Sequence, residues 1–170
     1  MDRYSGGCEE LCDVDVTDLV TWINAIAPED WPNWVKHPEH KGNFRPCVND
    51  QCDWQDMESH TNAVVAEVLS HFPPGCYDKA RAITTVLPGD YVPAHTDMHP
   101  SNWVVRVHVP ITTNTRAQFL SCGKWTNMKV GKAYLVNTES PHAISNTGDT
   151  NRVHLMFDVM SRFSGGTRIL

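Results

Sequence analysis

A chain of 170 residues is the size of one domain at the usual ~100–200 residues each, and 41% hydrophobic against 20% charged residues excludes global disorder. The balance of 20 Asp+Glu against 14 Lys+Arg gives a formal net charge of −6, and a surface of that sign repels phosphate, so nucleic acid is not expected as a partner. No apolar run approaches the ~20 residues of a membrane span, and Met1 to Asp15 shows neither the basic nor the apolar region of a signal peptide; the expectation is a cytoplasmic protein with no membrane contact.

Helical periodicity dominates the first 75 residues. Val16, Leu19, Val20, Ile23 and Ile26 form one apolar stripe, with Asp13, Asp15 or Thr17 as N-cap and Pro28 beyond the end. A second helix is predicted from about Asp56 to His71, with Met57, Val64, Val65, Val68, Leu69 and Phe72 on its apolar side and Pro73-Pro74-Gly75 as its stop. Between them, Pro28 to Asp53 has little periodicity, and Trp31 or Trp34 is expected near a pocket mouth. The six cysteines contain no Cys-x-x-Cys pair, so free thiols are expected; a zinc or disulfide staple involving Cys47 and Cys52 is the alternative.

From Arg81 the period changes to two. Strands are predicted at Ala82–Leu87, Trp103–Ile111, Gln118–Leu120, Lys129–Val130, Ala133–Val136, His142–Ser145 and Val153–Val159, with Pro88-Gly89-Asp90 and Cys122-Gly123 among the turns. Helices followed by many short strands predict a mainly β fold, a jelly roll with N-terminal supporting helices. The reading is a single domain, 1–170, with a helical and loop part at 1–79 and a strand core at 80–160.

Three pieces of this core carry chemistry. His95 and Asp97 stand at i and i+2, which on extended chain points both to one face, with Cα atoms ~6.5–7 Å apart. His142 supplies a second imidazole, and two histidines with one carboxylate leave open positions on a metal, as suits a non-haem Fe(II) oxygenase. Arg152, ten residues further on, offers a planar fork matched to a carboxylate. Its strand alternates Val153, Leu155, Phe157 and Val159 against Arg152, His154, Met156 and Asp158; likewise Trp103, Val105, Val107 and Val109 alternate against Val104, Arg106 and His108. Taken alone, a His-x-Asp is equally an exposed turn, and a polar face is equally the wet side of a sheet. Together they describe a cationic pocket beside a metal, sized for a dicarboxylate.

Residues Arg81 to Met160 resemble the catalytic core of the aspartyl/asparaginyl β-hydroxylase family. The resemblance rests, in order, on Thr84, Pro88-Gly89, His95-Thr96, Arg106-Val107-His108, His142-Ala143-Ile144-Ser145-Asn146, Arg152 and Phe157-Asp158-Val159. It implies a double-stranded β-helix (cupin-like) fold and an Fe(II)- and 2-oxoglutarate-dependent dioxygenase. It implies His95, Asp97 and His142 as metal ligands and catalytic centre, Arg152 on the distal carboxylate of 2-oxoglutarate, and Thr84, Arg106 and His108 around the cosubstrate. Peptidyl aspartyl hydroxylases of mammals carry Gly where Asp97 stands; Asp97 instead resembles the free-proline hydroxylases of the family. The implied reaction uses O₂ to hydroxylate an amino acid, or an aspartyl/asparaginyl-type side chain in a peptide. The alternatives are a non-catalytic cupin-like module that holds a small acid or a metal, and a zinc-stabilised domain built on the cysteines.

Overall fold

The computed structural model describes residues 3–26 and 54–163. Among these, the elements run β1 (Cys8–Asp13), α1 (Thr17–Ala25), α2 (Trp54–Leu69), β2 (Cys76–Val86), β3 (Tyr91–His95), β4 (Trp103–Thr112), β5 (Ala117–Ser121), β6 (Lys124–Thr126), β7 (Lys132–Val136), β8 (His142–Asn146) and β9 (Arg152–Ser161). The strands pair antiparallel in two sheets, ordered β1-β7-β4-β9-β2 and β3-β8-β5-β6. This is the mainly β, jelly-roll architecture expected, with the two helices as its support.

The helices lie on one face of the larger sheet. Leu19 and Ile23 of α1, and Val64, Val65 and Val68 of α2, share one cluster with Val107, Val109, Leu155 and Phe157. Fully burying such a side chain is worth ~1.5–3 kcal/mol, and this interface is what makes two short amphipathic helices stable. At the start of α1 the Asp15 carboxylate accepts from the Thr17 N–H at 2.9 Å and from its hydroxyl at 2.7 Å. The opposite face of the larger sheet looks onto the smaller one. Val86, Val92, Phe119, Tyr134, Val136 and Ile144 close that gap in a second cluster.

Four expectations are corrected by backbone irregularities. Residues 8–13 form a strand inside the part expected to be helical and loop. The strand β1 is an edge strand with a register break between Glu10 and Cys12, so it shows no alternation, and its acidic residues pair across to Lys132, whose Nζ is 2.8 Å from Glu10 Oε1 and 2.6 Å from Asp13 Oδ1. Strand β2 starts at Cys76, well before Ala82, because the break between Lys79 and Ala82, with Ala80 at φ 54°, resets its phase. The short strand after the Cys122-Gly123 turn is Lys124–Thr126, not Lys129–Val130; both turn residues have positive φ (48° and 76°), as a two-residue hairpin requires. Finally, Trp103 does not share a face with Val105. It pairs with Met160, while Val105 pairs with Val159, so Val104 is the extra residue of a bulge and Trp103 turns to the Arg106 side.

The segment from Pro28 to Asp53, with Trp31, Trp34, Cys47 and Cys52, lies outside the described residues. Cys8, Cys12, Cys76 and Cys122 form no disulfide among the described residues.

Candidate metal centre

The centre grows out of the β3–β8 pairing. A register break between Val92 and His95 brings His95 directly opposite His142, and their ring centroids are 4.2 Å apart. Just beyond β3, the Asp97 N–H donates to Thr138 O at 2.8 Å, which pins the loop across the end of the sheet. The result is that one ligand atom from each of His95, Asp97 and His142 lies within 4.8 Å of the others. Asp97 Oδ1 is 3.7 Å from His95 Nε2, and its Oδ2 is 3.8 Å from His142 Nε2. Among the described residues this is the one such group, and it contains no cysteine.

Both imidazoles are prepared for a cation. His95 Nδ1 is 2.8 Å from Pro93 O, and His142 Nδ1 is 3.1 Å from Ser140 O. A carbonyl can only accept, so each Nδ1 carries the proton and each Nε2 keeps a lone pair facing the centre. Burial, reinforced by the neighbouring His95, lowers the His142 pKa to about 4, which keeps that lone pair free at neutral pH.

Arg106 braces the carboxylate. Its Nη1 donates to Asp97 Oδ2, while Nε and Nη2 grip Asp158 at 2.8 and 3.1 Å. Trp103 Nε1 donates to the same Asp158 at 3.2 Å, and its indole stacks on His99 at 4.0 Å. His99 in turn bonds Thr138 Oγ1 through Nε2 at 2.7 Å. A continuous polar chain therefore runs from the core to Asp97. Neither His99 nor the inward turn of Trp103 follows from the strand alternation. The i, i+2 spacing of His95, Asp97 and His99 was the available signal for His99; the bulge that turns Trp103 has none.

A cavity of about 570 Å³ surrounds the centre. Thr84 and His108, both buried, line it with Arg106 and the apolar Val92, Phe119, Ile144 and Met156. Burial, with the nearby Arg152 charge, holds the His108 pKa well below its ordinary value. Arg152 itself lies one layer deeper. It is 2% exposed and lines an adjoining void with His154 and Thr126; Phe119 forms a wall of both spaces. Its Nη1 has no hydrogen-bond partner among the described residues, and burial lowers its pKa to about 9. The polar faces of β4 and β9 are thus buried, not wet. The expected local positive charge comes from Arg152, because Arg106 is neutralised by two carboxylates.

Comparison with known proteins agrees with this geometry. The family model of aspartyl/asparaginyl β-hydroxylase matches residues 49–162, more than half of the chain. No curated protein matches the chain by sequence. Among solved structures, an oxidoreductase of the 2OG-Fe(II) oxygenase family from Burkholderia pseudomallei has a TM-score of 0.68 at 13% identity, covering 99% of this chain and 98% of that one. A Pseudomonas putida prolyl-4-hydroxylase has a TM-score of 0.57 at 11% identity, covering 94% and 95%. The viral collagen prolyl hydroxylase of Paramecium Bursaria Chlorella virus-1 has 0.56 at 9%, covering 92% and 97%. The shared fold and the family match agree on one conclusion: the chain belongs to the aspartyl/asparaginyl β-hydroxylase family and is a 2-oxoglutarate-dependent hydroxylase that uses Fe(II).

Proposed function

We propose that the chain hydroxylates an amino acid, or an aspartyl/asparaginyl-type side chain in a peptide, with His95, Asp97 and His142 as the iron ligands. The observation that carries this reading is the convergence of those three ligand atoms within 4.8 Å. The donor set fits Fe(II): two imidazoles and one carboxylate, with the Nδ1 of each ring held by a backbone carbonyl. Arg152 is the candidate partner of the cosubstrate. Arg152 is a buried guanidinium with an unspent donor, which calls for an anion.

When bound, Fe(II) and 2-oxoglutarate supply O₂-dependent oxidation coupled to release of succinate and CO₂. The chain's own residues do the rest. Arg106 holds Asp97 Oδ2 so that the carboxylate keeps its orientation toward both histidines. Phe119 and His142 stack at 5.9 Å, which limits rotation of that imidazole. Val92, Ile144 and Met156 give the cavity dry walls. Arg152 is the candidate for the distal carboxylate, and Thr84 and His108, which line the cavity, are further polar contacts.

The test is succinate formation from 2-oxoglutarate with Fe(II), screened against free amino acids and Asp- or Asn-containing peptides. Proline and prolyl peptides belong in the panel because two structural neighbours are described as prolyl hydroxylases. Succinate should form in the wild type and be abolished by His95→Ala. An iron-loaded wild type that binds 2-oxoglutarate yet makes no succinate on any substrate would return the chain to the non-catalytic binding module.

A further inference from the structure

The three candidate ligands are not held alike. His95 closes β3 and His142 opens β8, so both stand in paired strands. Asp97 stands in the connection from β3 to β4, where residues 96–102 belong to no strand or helix. Chain without a ladder opens at little cost in free energy, so a ligand placed there needs its own restraint. Arg106 restrains the carboxylate. The backbone is restrained by Thr138. Its carbonyl accepts from Asp97 N–H at 2.8 Å, and its Oγ1 is 2.7 Å from His99 Nε2. One residue thus holds the connection at two points, two residues apart, which fixes its direction as well as its position. The His99 ring lies flat on the buried Trp103, with centroids 4.0 Å apart and planes at 6°, so it has no room to swing away on that side.

Thr138 is itself a fixed point. It is 1% exposed, in a connection from β7 to β8 that closes around Asn137. Asn137 Oδ1 accepts from the N–H groups of Glu139 and Ser140 at 3.1 and 3.3 Å. Its own N–H donates to Gly7 O at 3.1 Å, and its carbonyl accepts from Ser121 Oγ at 3.4 Å. The same connection presents Ser140 O to His142 Nδ1 at 3.1 Å. Two ligands from different parts of the chain therefore take their orientation from one braced loop.

We propose that Thr138 and His99 are positioning residues for Asp97: their hydrogen bond holds the connection after β3 so that the carboxylate meets the two imidazoles on one metal. The proposal rests on the iron-ligand reading above. His99 is not one of the three converging groups, so its effect on a metal passes through Asp97. Groups that orient a ligand without touching the metal typically change metal affinity when removed.

Calorimetric titration with Mn(II), well below the Tm of each variant, tests this. Thr138→Val and His99→Phe break the bond from its two ends, and His99→Phe keeps a ring on Trp103. Each should weaken Mn(II) binding about tenfold to a hundredfold. Because both remove one interaction, the double variant should bind no more weakly than the poorer single, within about twofold. Thr138→Ser keeps the hydroxyl and should stay within about threefold of wild type. If a single variant does not fold, the double variant, which strips both polar groups and leaves neither without its partner, carries the test with the same loss expected. A lowered metal-free Tm with Mn(II) affinity within about twofold of wild type would overturn the proposal, and so would losses that multiply in the double variant. Both of those outcomes leave the iron-ligand reading standing. A wild type that binds no Mn(II) removes that reading, and the proposal with it.

Discussion

Asp97 divides its carboxylate between two histidines and a guanidinium, and Arg106 divides its guanidinium between two carboxylates. Such mutual sharing makes each partner costly to remove. Arg106→Ala leaves the buried Asp158 carboxylate without its ion pair, which should cost about 3–5 kcal/mol in urea unfolding. It also frees Asp97, so Mn(II) affinity by calorimetry should fall about 10–100-fold. Arg106→Lys should restore little of either, because one ammonium cannot grip both oxygens of Asp158 and still reach Asp97. A second residue-level prediction concerns pH. Burial pushes the Cys8 thiol up to about 11, against a smaller opposing effect of the Thr126 hydrogen bond. The folded state therefore holds the thiol proton more tightly than the unfolded chain. Its contribution to stability is full below the ordinary value of 9.0 and is lost as pH rises from there through about 11. In peptide-resolved alkylation at pH 8, Cys8 should react far more slowly than the exposed Cys122.

Strands and turns show which structural rules can be read directly. The alternation of β9 sends Val153, Leu155, Phe157 and Val159 into the helix-facing cluster, as the spacing requires. Phe157→Ala, at a fully buried position, should cost about 3–5 kcal/mol by urea unfolding. The Pro88-Gly89 turn follows its sequence signature too: Gly89 has φ 82° and Asp90 N–H donates to Leu87 O at 3.1 Å. A Cβ there would meet nothing within 4 Å, so Gly89→Ala should cost only the backbone strain, about 1–2 kcal/mol in the same assay. Bulges are different. The extra Val104 in β4, the break before His95 in β3 and the positive-φ Ala80 in β2 each shift side-chain phase by one position. Nothing in the local residue pattern marks them. Alternation alone therefore puts Trp103 on the wrong face and starts β2 late, whereas it holds along an uninterrupted run such as β9.

For the whole molecule, the fold brings His95, Asp97 and His142 together, and under the proposed iron ligation a bound cation should add directly to stability. Mn(II) at 100 times its Kd should stabilise the fold by about 2.7 kcal/mol, read as a rise in Tm, and a chelator should reverse it. His95→Ala should abolish the shift while changing the metal-free Tm little, since His95 is only partly buried. At this scale too, no helix among the described residues is long and apolar enough to cross a membrane.

The sequence by itself determined the fold class and the two helices, because these depend on hydrophobic period, and it put forward His95, Asp97, His142 and Arg152 as residue types able to bind a metal or a carboxylate. The tertiary structure decided three further matters. It brought Asp97, Arg106, Asp158 and Trp103 into one hydrogen-bonded chain, since only the folded register sets β4 beside β9. It placed β1 at the sheet edge, where pairing with β7 outweighs a weak local preference. It buried Arg152 beside His154, with the guanidinium Nη2 3.0 Å from the ring Nδ1, although both stand on the polar face of β9. Burial and register arise from contacts between residues far apart in the chain, and no local pattern encodes them.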